Sequence, residues 1–139
     1  MASSEDIQLK IDQAATAGEE FSKYYYECFD KKRYLLHKLY MDNATLIWNG
    51  NHVSGSNDIM KYFEQFPTTE TTLESLDCQP ILDEAVNGQS TILVVVSGVV
   101  KYERVKTATF QQNFMLTAQG TVWKVVTDWF RFQEPLRTS

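Results

Sequence analysis

The 139-residue chain has two cysteines, two histidines, thirteen basic residues against eighteen acidic ones, and no apolar run longer than Ile92–Val96. Each shortage excludes a class of protein. Cys28 and Cys78 form neither a metal-spaced cluster nor a disulfide framework, so free thiols in a reducing compartment are expected. Five consecutive apolar residues are far short of the roughly 20 that a membrane helix needs. The start, Met1-Ala-Ser-Ser-Glu-Asp, lacks the basic region and apolar core of a secretory signal, so a soluble protein without membrane attachment is expected. A net charge of -5 and a pI near 5.0 leave no footprint for duplex nucleic acid. Lys31-Lys32-Arg33 is the one small cationic patch, and direct nucleic-acid binding is not expected. Repeats, low-complexity stretches, linkers, nucleophile elbows, phosphate loops and zinc spacings are all missing. Residues 1–139 therefore read as a single domain without metal or cofactor, joined by short polar loops such as Glu84–Ser90 and ending in termini expected to fray.

What is present is a helical first half and a strand-rich second half. Ile7, Ile11, Ala14, Gly18, Phe21, Tyr25 and Cys28 recur at steps of three and four, the stripe of an amphipathic helix over 7–29. Asp30-Lys-Lys-Arg33 interrupts that stripe, and Tyr34–Leu39 fits a short second helix. Ala44–Trp48 and His52-Val53 read as two strands around an Asn49-Gly50 hairpin turn, where both residues tolerate positive φ. A third helix is predicted over 57–66, stopped by Pro67. Strands are then expected over 71–82, 91–102, 107–119 and 121–132. Helices followed by long strands imply an α+β domain whose antiparallel-dominated sheet carries three helices on one face.

The last strand carries large apolar groups on both faces. Strict alternation sets Val122, Val126, Phe130 and Phe132 on one side and Trp123, Val125, Thr127, Trp129 and Arg131 on the other. A domain of this size has one core, so the second face points to a second protein subunit.

At this point the residues resemble a family. Phe21-x-x-Tyr24-Tyr25-Tyr26-x-x-Phe29-Asp30, Leu39-Tyr40, Leu46-Ile-Trp48-x-Gly50, Gln79-Pro80 and Asp128-x-Phe130-Arg131 resemble the nuclear transport factor 2 family over nearly the whole chain. Within it, Trp48-Asn49-Gly50-Asn51, Asp77-Cys78-Gln79-Pro80, Phe110-x-Gln112-Asn113-Phe114, Thr121-Val-Trp-Lys124 and Phe130-Arg-Phe-Gln133 are similar to the export-related branch. The resemblance implies a cone made by a strongly bent sheet wrapped around helices. It also implies a non-catalytic small subunit that heterodimerises with the related domain of the messenger-RNA export receptor, both partners using their open sheet faces. Nucleoporins would then be reached indirectly, through the receptor. Shuttling between nucleus and cytoplasm, with enrichment at the nuclear envelope, follows from the same likeness.

Trp129 and Arg131 carry over to the contact surface, Arg131 resembling an arginine that pairs with an acidic residue of the receptor. Sheet periodicity adds Leu76, Cys78, Leu93, Val95, Gln111, Asn113 and Met115, and leaves Val94, Val96, Phe110, Phe114 and Phe130 for the cone interior. Departures separate the chain from the homodimeric import factor that carries GDP-bound Ran, the second reading. Ala14 stands where that factor has a repeat-binding tryptophan, Asn49 where it has a Ran-binding glutamate, and Glu103-Arg104-Val105 replaces a uniformly acidic loop. A third reading is an isomerase or dehydratase pocket on the same cone, with Asp77, Asp128, Tyr24, Tyr25 and Tyr26 as candidate groups. His37 and His52 are poorly placed to complete it, and the tyrosines are expected to line and plug the cone.

Overall fold

The computed structural model describes residues 4–81 and 90–133; the expected polar loop from Glu84 and the expected fraying termini fall largely outside them. Helix α1, Ser4–Lys31, has 28 residues and so runs about 42 Å. It buries Ala14, Gly18, Phe21, Tyr25 and Cys28 of the predicted stripe together with Phe29, whereas Ile7 is only half-buried and Ile11 is exposed, and it extends beyond the expected 7–29 at both ends. The charged run after it is a joint as well as a stop. Asp30 accepts hydrogen bonds from the Thr69 hydroxyl at 2.7 Å, and from the Thr71 amide and hydroxyl at 2.8 and 2.9 Å. Arg33 donates to the carbonyls of Phe29, Phe66 and Pro67, each at 3.0 Å. One guanidinium thus satisfies carbonyls near the ends of two helices.

The expected short second helix is present as a 3-10 helix, Arg33–Leu39. Strand β1, Tyr40–Trp48, then starts four residues earlier than predicted, because Tyr40 already pairs with Val125 of the last strand. Asn49 and Gly50 turn the chain at φ of 48° and 86° into β2, Asn51–Ser54, and α2 follows at Ser56–Glu64. Strands β3 (Thr69–Ile81), β4 (Thr91–Tyr102), β5 (Lys106–Gln119) and β6 (Val122–Gln133) complete a six-stranded sheet of order β2-β1-β6-β5-β4-β3. All neighbours are antiparallel except β1 and β6. The helices cover the inner face. There Leu36, Leu46, Ile59, Phe63, Val94, Val96, Phe110, Phe114 and Phe130 are buried with the α1 stripe. Trp48 stacks on Phe130 at 3.7 Å between ring centres, and Phe130 stacks on Phe110 at 5.3 Å.

Besides a register shift between Tyr40 and Thr45 where β1 meets β6, two irregularities break the parity that strict alternation assumes. The β3–β4 register shifts between Leu73 and Ser75, leaving Glu74 as an extra residue, and the β5–β6 register shifts so that Val126 is extra. An inserted residue moves every side chain beyond it to the opposite face. Hence Val125 and Trp123 point inward, Val125 fully buried, while Val122 is 46 % exposed. The expectation that Trp123 and Val125 share a face with Trp129 and Arg131 is therefore corrected, as is the inward placing of Val122.

Close helix–sheet contact depends on Gly18. A Cβ there would lie 2.1 Å from the Cys78 sulfur and 3.3 Å from a Val94 methyl. Gly18→Ala is expected to destabilise the fold by about 2 kcal/mol, in the range of overpacked cores. Because the closest obstacle is the Cys78 sulfur, Cys78→Ala should recover part of that loss in the double variant, the Cys78 Cβ remaining at 3.0 Å. Urea denaturation of the four proteins in the cycle measures it; additive losses would contradict the contact.

Candidate partner-binding face

Side chains on the outer face follow from the strand registers, since directly paired residues point to the same side of a sheet. One row runs across five strands: Ile47, Trp129, Asn113, Val95 and Asp77. The next holds Thr45, Thr127, Met115, Leu93 and Gln79, and a third holds Arg131, Gln111, Ser97 and Ser75. No helix among the described residues covers these rows. Trp129 is 53 % exposed beside half-buried Ile47, Val95, Met115 and Leu93. An aromatic ring left in water at the centre of a mixed apolar and amide surface marks a contact site more than a solvated one.

Seven of the nine residues expected on this face are there: Leu93, Val95, Gln111, Asn113, Met115, Trp129 and Arg131. Leu76 and Cys78 are not. Leu76 pairs with buried Val96 and Cys78 with buried Val94, so both point to the helix side, Cys78 against Gly18 and Leu76 remaining 37 % exposed at the sheet edge. Glu74 caused the error, because an extra residue reverses the parity of β3 and puts Asp77 and Gln79 on the outer face instead. Burial raises the Cys78 thiol pKa above its ordinary value, and the negative charges of Asp77 and Glu19 add to the shift.

The polar groups of the face are partly ordered in advance. Gln133 Nε2 donates to Gln111 Oε1 at 3.2 Å, and Gln111 Nε2 donates to Asn113 Oδ1 at 3.4 Å. The Ser75 and Ser97 hydroxyls bond to each other. Arg131 forms no ion pair among the described residues. Its backbone, however, is held from an unexpected direction. The Asn49 amide donates to the Phe130 carbonyl and the Asn49 Oδ1 accepts from the Phe132 amide, both at 2.9 Å. From the sequence, Asn49 reads as a turn residue, as part of the Trp48-Asn49-Gly50-Asn51 likeness and as a departure from the import factor, with no contact to the last strand assigned to it. The Asn-Gly turn was a signal of its conformation, but nothing local revealed which strand its side chain would reach.

The opposite side of β5 and β6 holds a buried polar cluster. Tyr40 donates to Asp128 Oδ2 at 2.5 Å, Tyr25 reaches the same oxygen at 3.4 Å, and Gln112 Nε2 donates to Asp128 Oδ1 at 2.8 Å. The Tyr25 and Tyr40 hydroxyls are 2.7 Å apart, and Tyr26 donates to Gln112 Oε1 at 2.6 Å. Burial pushes the Asp128 carboxyl up to about 6, although the donors Gln112, Tyr40 and Tyr25 pull it back. Burial, with the Asp128 charge second, raises Tyr40 well above the ordinary tyrosine value. Tyr25 and Tyr26 are thus core residues as expected, whereas Tyr24 is 46 % exposed.

Beside this cluster lies a recess of about 200 Å³ whose walls include Phe29, Trp48, Phe110, Phe130, Tyr26 and Gln112. Asp128 is not among its lining residues; it is hydrogen-bonded to Tyr25, Tyr40 and Gln112, so its carboxylate is spent on the fold. His37 bonds the Tyr34 carbonyl, His52 meets the Ser54 hydroxyl at 3.4 Å, and neither is bonded to Asp128. Asp77 is on the outer face, away from the recess. The candidate acids and histidines therefore do not converge on one pocket.

Comparison with known proteins gives a consistent result. The nuclear transport factor 2 (NTF2) domain signature matches residues 17–132. The chain is 49 % identical over 138 residues to human NTF2-related export protein 2, covering 96 % of this chain and 97 % of that protein. It is 49 % identical over 133 residues to bovine NTF2-related export protein 1, covering 93 % and 95 %. Among solved structures, nuclear transport factor 2 from Cryptosporidium parvum superposes with a TM-score of 0.77 at 27 % identity, covering 87 % of this chain and 95 % of that one.

Proposed function

The chain belongs to the nuclear transport factor 2 family, and from that premise we propose that it is a non-catalytic subunit that heterodimerises with the related domain of a messenger-RNA export receptor. In that role it promotes passage of messenger ribonucleoprotein through the nuclear pore. Its similarity to proteins named for export supports the direction of transport. The observation that carries the partner is the uncovered outer face, with exposed Trp129 beside an Arg131 that has no ion-pair partner among the described residues. A receptor domain that exposes a like face is stabilised by pairing, since any ligand that binds only the folded form raises its folded fraction by mass action. Nucleoporins are then met through the receptor, and the subunit shuttles between nucleus and cytoplasm with it.

Arg131 fixes orientation. A guanidinium desolvated against a partner carboxylate contributes more to register and specificity than to affinity, but reversing its charge opposes two acids in one interface. Arg131→Asp is expected to weaken pairing by about 4 kcal/mol, close to a thousandfold. Size-exclusion chromatography with light scattering, run on this chain alone and mixed with the receptor domain, tests this. The expected result is a one-to-one complex that Arg131→Asp abolishes while circular dichroism and thermal midpoint of the subunit stay unchanged. Normal pairing by the variant would overturn the reading. A stable homodimer that ignores the receptor and binds GDP-bound Ran would instead indicate an import-type carrier.

A further inference from the structure

We propose that Asn49 is a positioning residue for Arg131: it locks the backbone on both sides of the arginine and so presents the guanidinium to the partner in one orientation. The inference rests on the partner-binding reading of Arg131. Arg131 lies two residues before the end of β6 at Gln133, past the point where β1 can pair with it, because Trp48 opposite Phe130 is the last β1–β6 partner. From there to its end, β6 has β5 on one side and, among the described residues, no strand on the other. Strand ends held from one side fray.

Asn49 fills the missing side. Its main-chain amide donates to the Phe130 carbonyl and its side-chain Oδ1 accepts from the Phe132 amide. One residue therefore supplies both the donor and the acceptor that a neighbouring strand residue would supply, and Arg131 is the residue bracketed between them. The side chain can reach only because Asn49 sits at φ of 48°, turning out of β1. Asparagine tolerates that left-handed backbone and also carries the acceptor. Asn49, Arg131, Phe132 and Gln133 together line one shallow groove at this corner. The Gln133–Gln111–Asn113 amide chain starts at the same corner but is held through its own side chains, not through the Phe132 amide.

The two roles of Asn49 separate by substitution. Asn49→Gly keeps the turn conformation and removes the acceptor, whereas Asn49→Asp keeps both the acceptor and tolerance of positive φ. Affinity for the receptor domain, measured by titration calorimetry, is expected to fall about fivefold in Asn49→Gly and to stay within about twofold of wild type in Asn49→Asp, the scale of one hydrogen bond. Hydrogen exchange at the Phe132 amide should accelerate in the first variant and not in the second. In an Arg131→Ala background the effect of Asn49→Gly on affinity should vanish; equal loss in both backgrounds would mean a merely structural role and overturn the inference. Undiminished affinity of Asn49→Gly, with Arg131→Asp still abolishing pairing, would also overturn it while leaving the partner reading intact. If Arg131→Asp pairs normally, the partner reading falls first and this inference falls with it.

Discussion

Asp128→Ala is expected to destabilise the protein by about 3 kcal/mol at neutral pH, because it strips the hydrogen-bond acceptor from Tyr40, Tyr25 and Gln112 in a fully buried site. Asp128→Asn should behave differently. Its carbonyl can accept from Tyr40, and rotation of the Gln112 amide lets that side chain accept from the new amide while donating to Tyr26. The cluster then reverses direction without losing partners. The carboxylate also imposes a pH dependence whose sign is opposite to that of a salt-bridged aspartate. Its pKa rises from 3.8 in the unfolded chain to about 6 in the fold, so the folded state binds the proton more tightly. The resulting stability is fully present below about pH 4 and is lost as pH rises through 6, amounting to about 3 kcal/mol by linkage. Urea unfolding between pH 4 and 7.5 should show wild type losing stability across that window relative to Asp128→Asn. Parallel curves for the two proteins would refute the titration.

Gly98→Ala should be as damaging, for a reason that no second substitution can cure. A Cβ on Gly98 would stand 2.2 Å from the Thr72 carbonyl oxygen and 3.1 Å from the Leu73 Cα. Both obstacles are backbone, beside the register shift where β3, paired to β4, carries its extra residue Glu74. The strands must separate or the sheet must flatten, and a loss of about 3 kcal/mol or more is expected. Gly18 offers the control, since its obstacle is mainly the Cys78 sulfur and can be removed. Thermal unfolding of Gly98→Ala, alone and combined with truncations of Leu73 and Leu76, checks this. Recovery by either truncation would show that the backbone contact is not the cause.

Much of this arrangement was legible from period and turn chemistry. β4 has the predicted bounds because its apolar residues, Ile92–Val96 and then Val99 and Val100, run up to the turn at Glu103-Arg104, and the Asn49-Gly50 turn left few conformations open. Phe110, Phe114 and Phe130 fell on the inner face because β5 and the second half of β6 keep strict alternation. What failed was long-range in origin. Glu74 and Val126 are ordinary residues, neither glycine nor proline, so nothing local announced that each would be inserted without a partner, and Leu76, Cys78, Val125 and Trp123 were assigned to the wrong faces as a result. The early start of β1 has the same character, since Tyr40 is a strand residue only because Val125 lies beside it. Nor could spacing disclose that Asn49 reaches Phe132, 83 positions along the chain.

The place of β6 between β1 and β5 also bears on how the protein is made. Trp48 and its partner Phe130 are separated by some 80 residues, which a ribosome adds in about 4–16 s. During that interval the β1–β2 hairpin has no inner neighbour, and its unpaired edge is a template for other chains. The strand that finally covers it is also the one that brings Trp129 to the outer face. Protection of the nascent hairpin edge and the appearance of the exposed Trp129 face are therefore a single late event in synthesis.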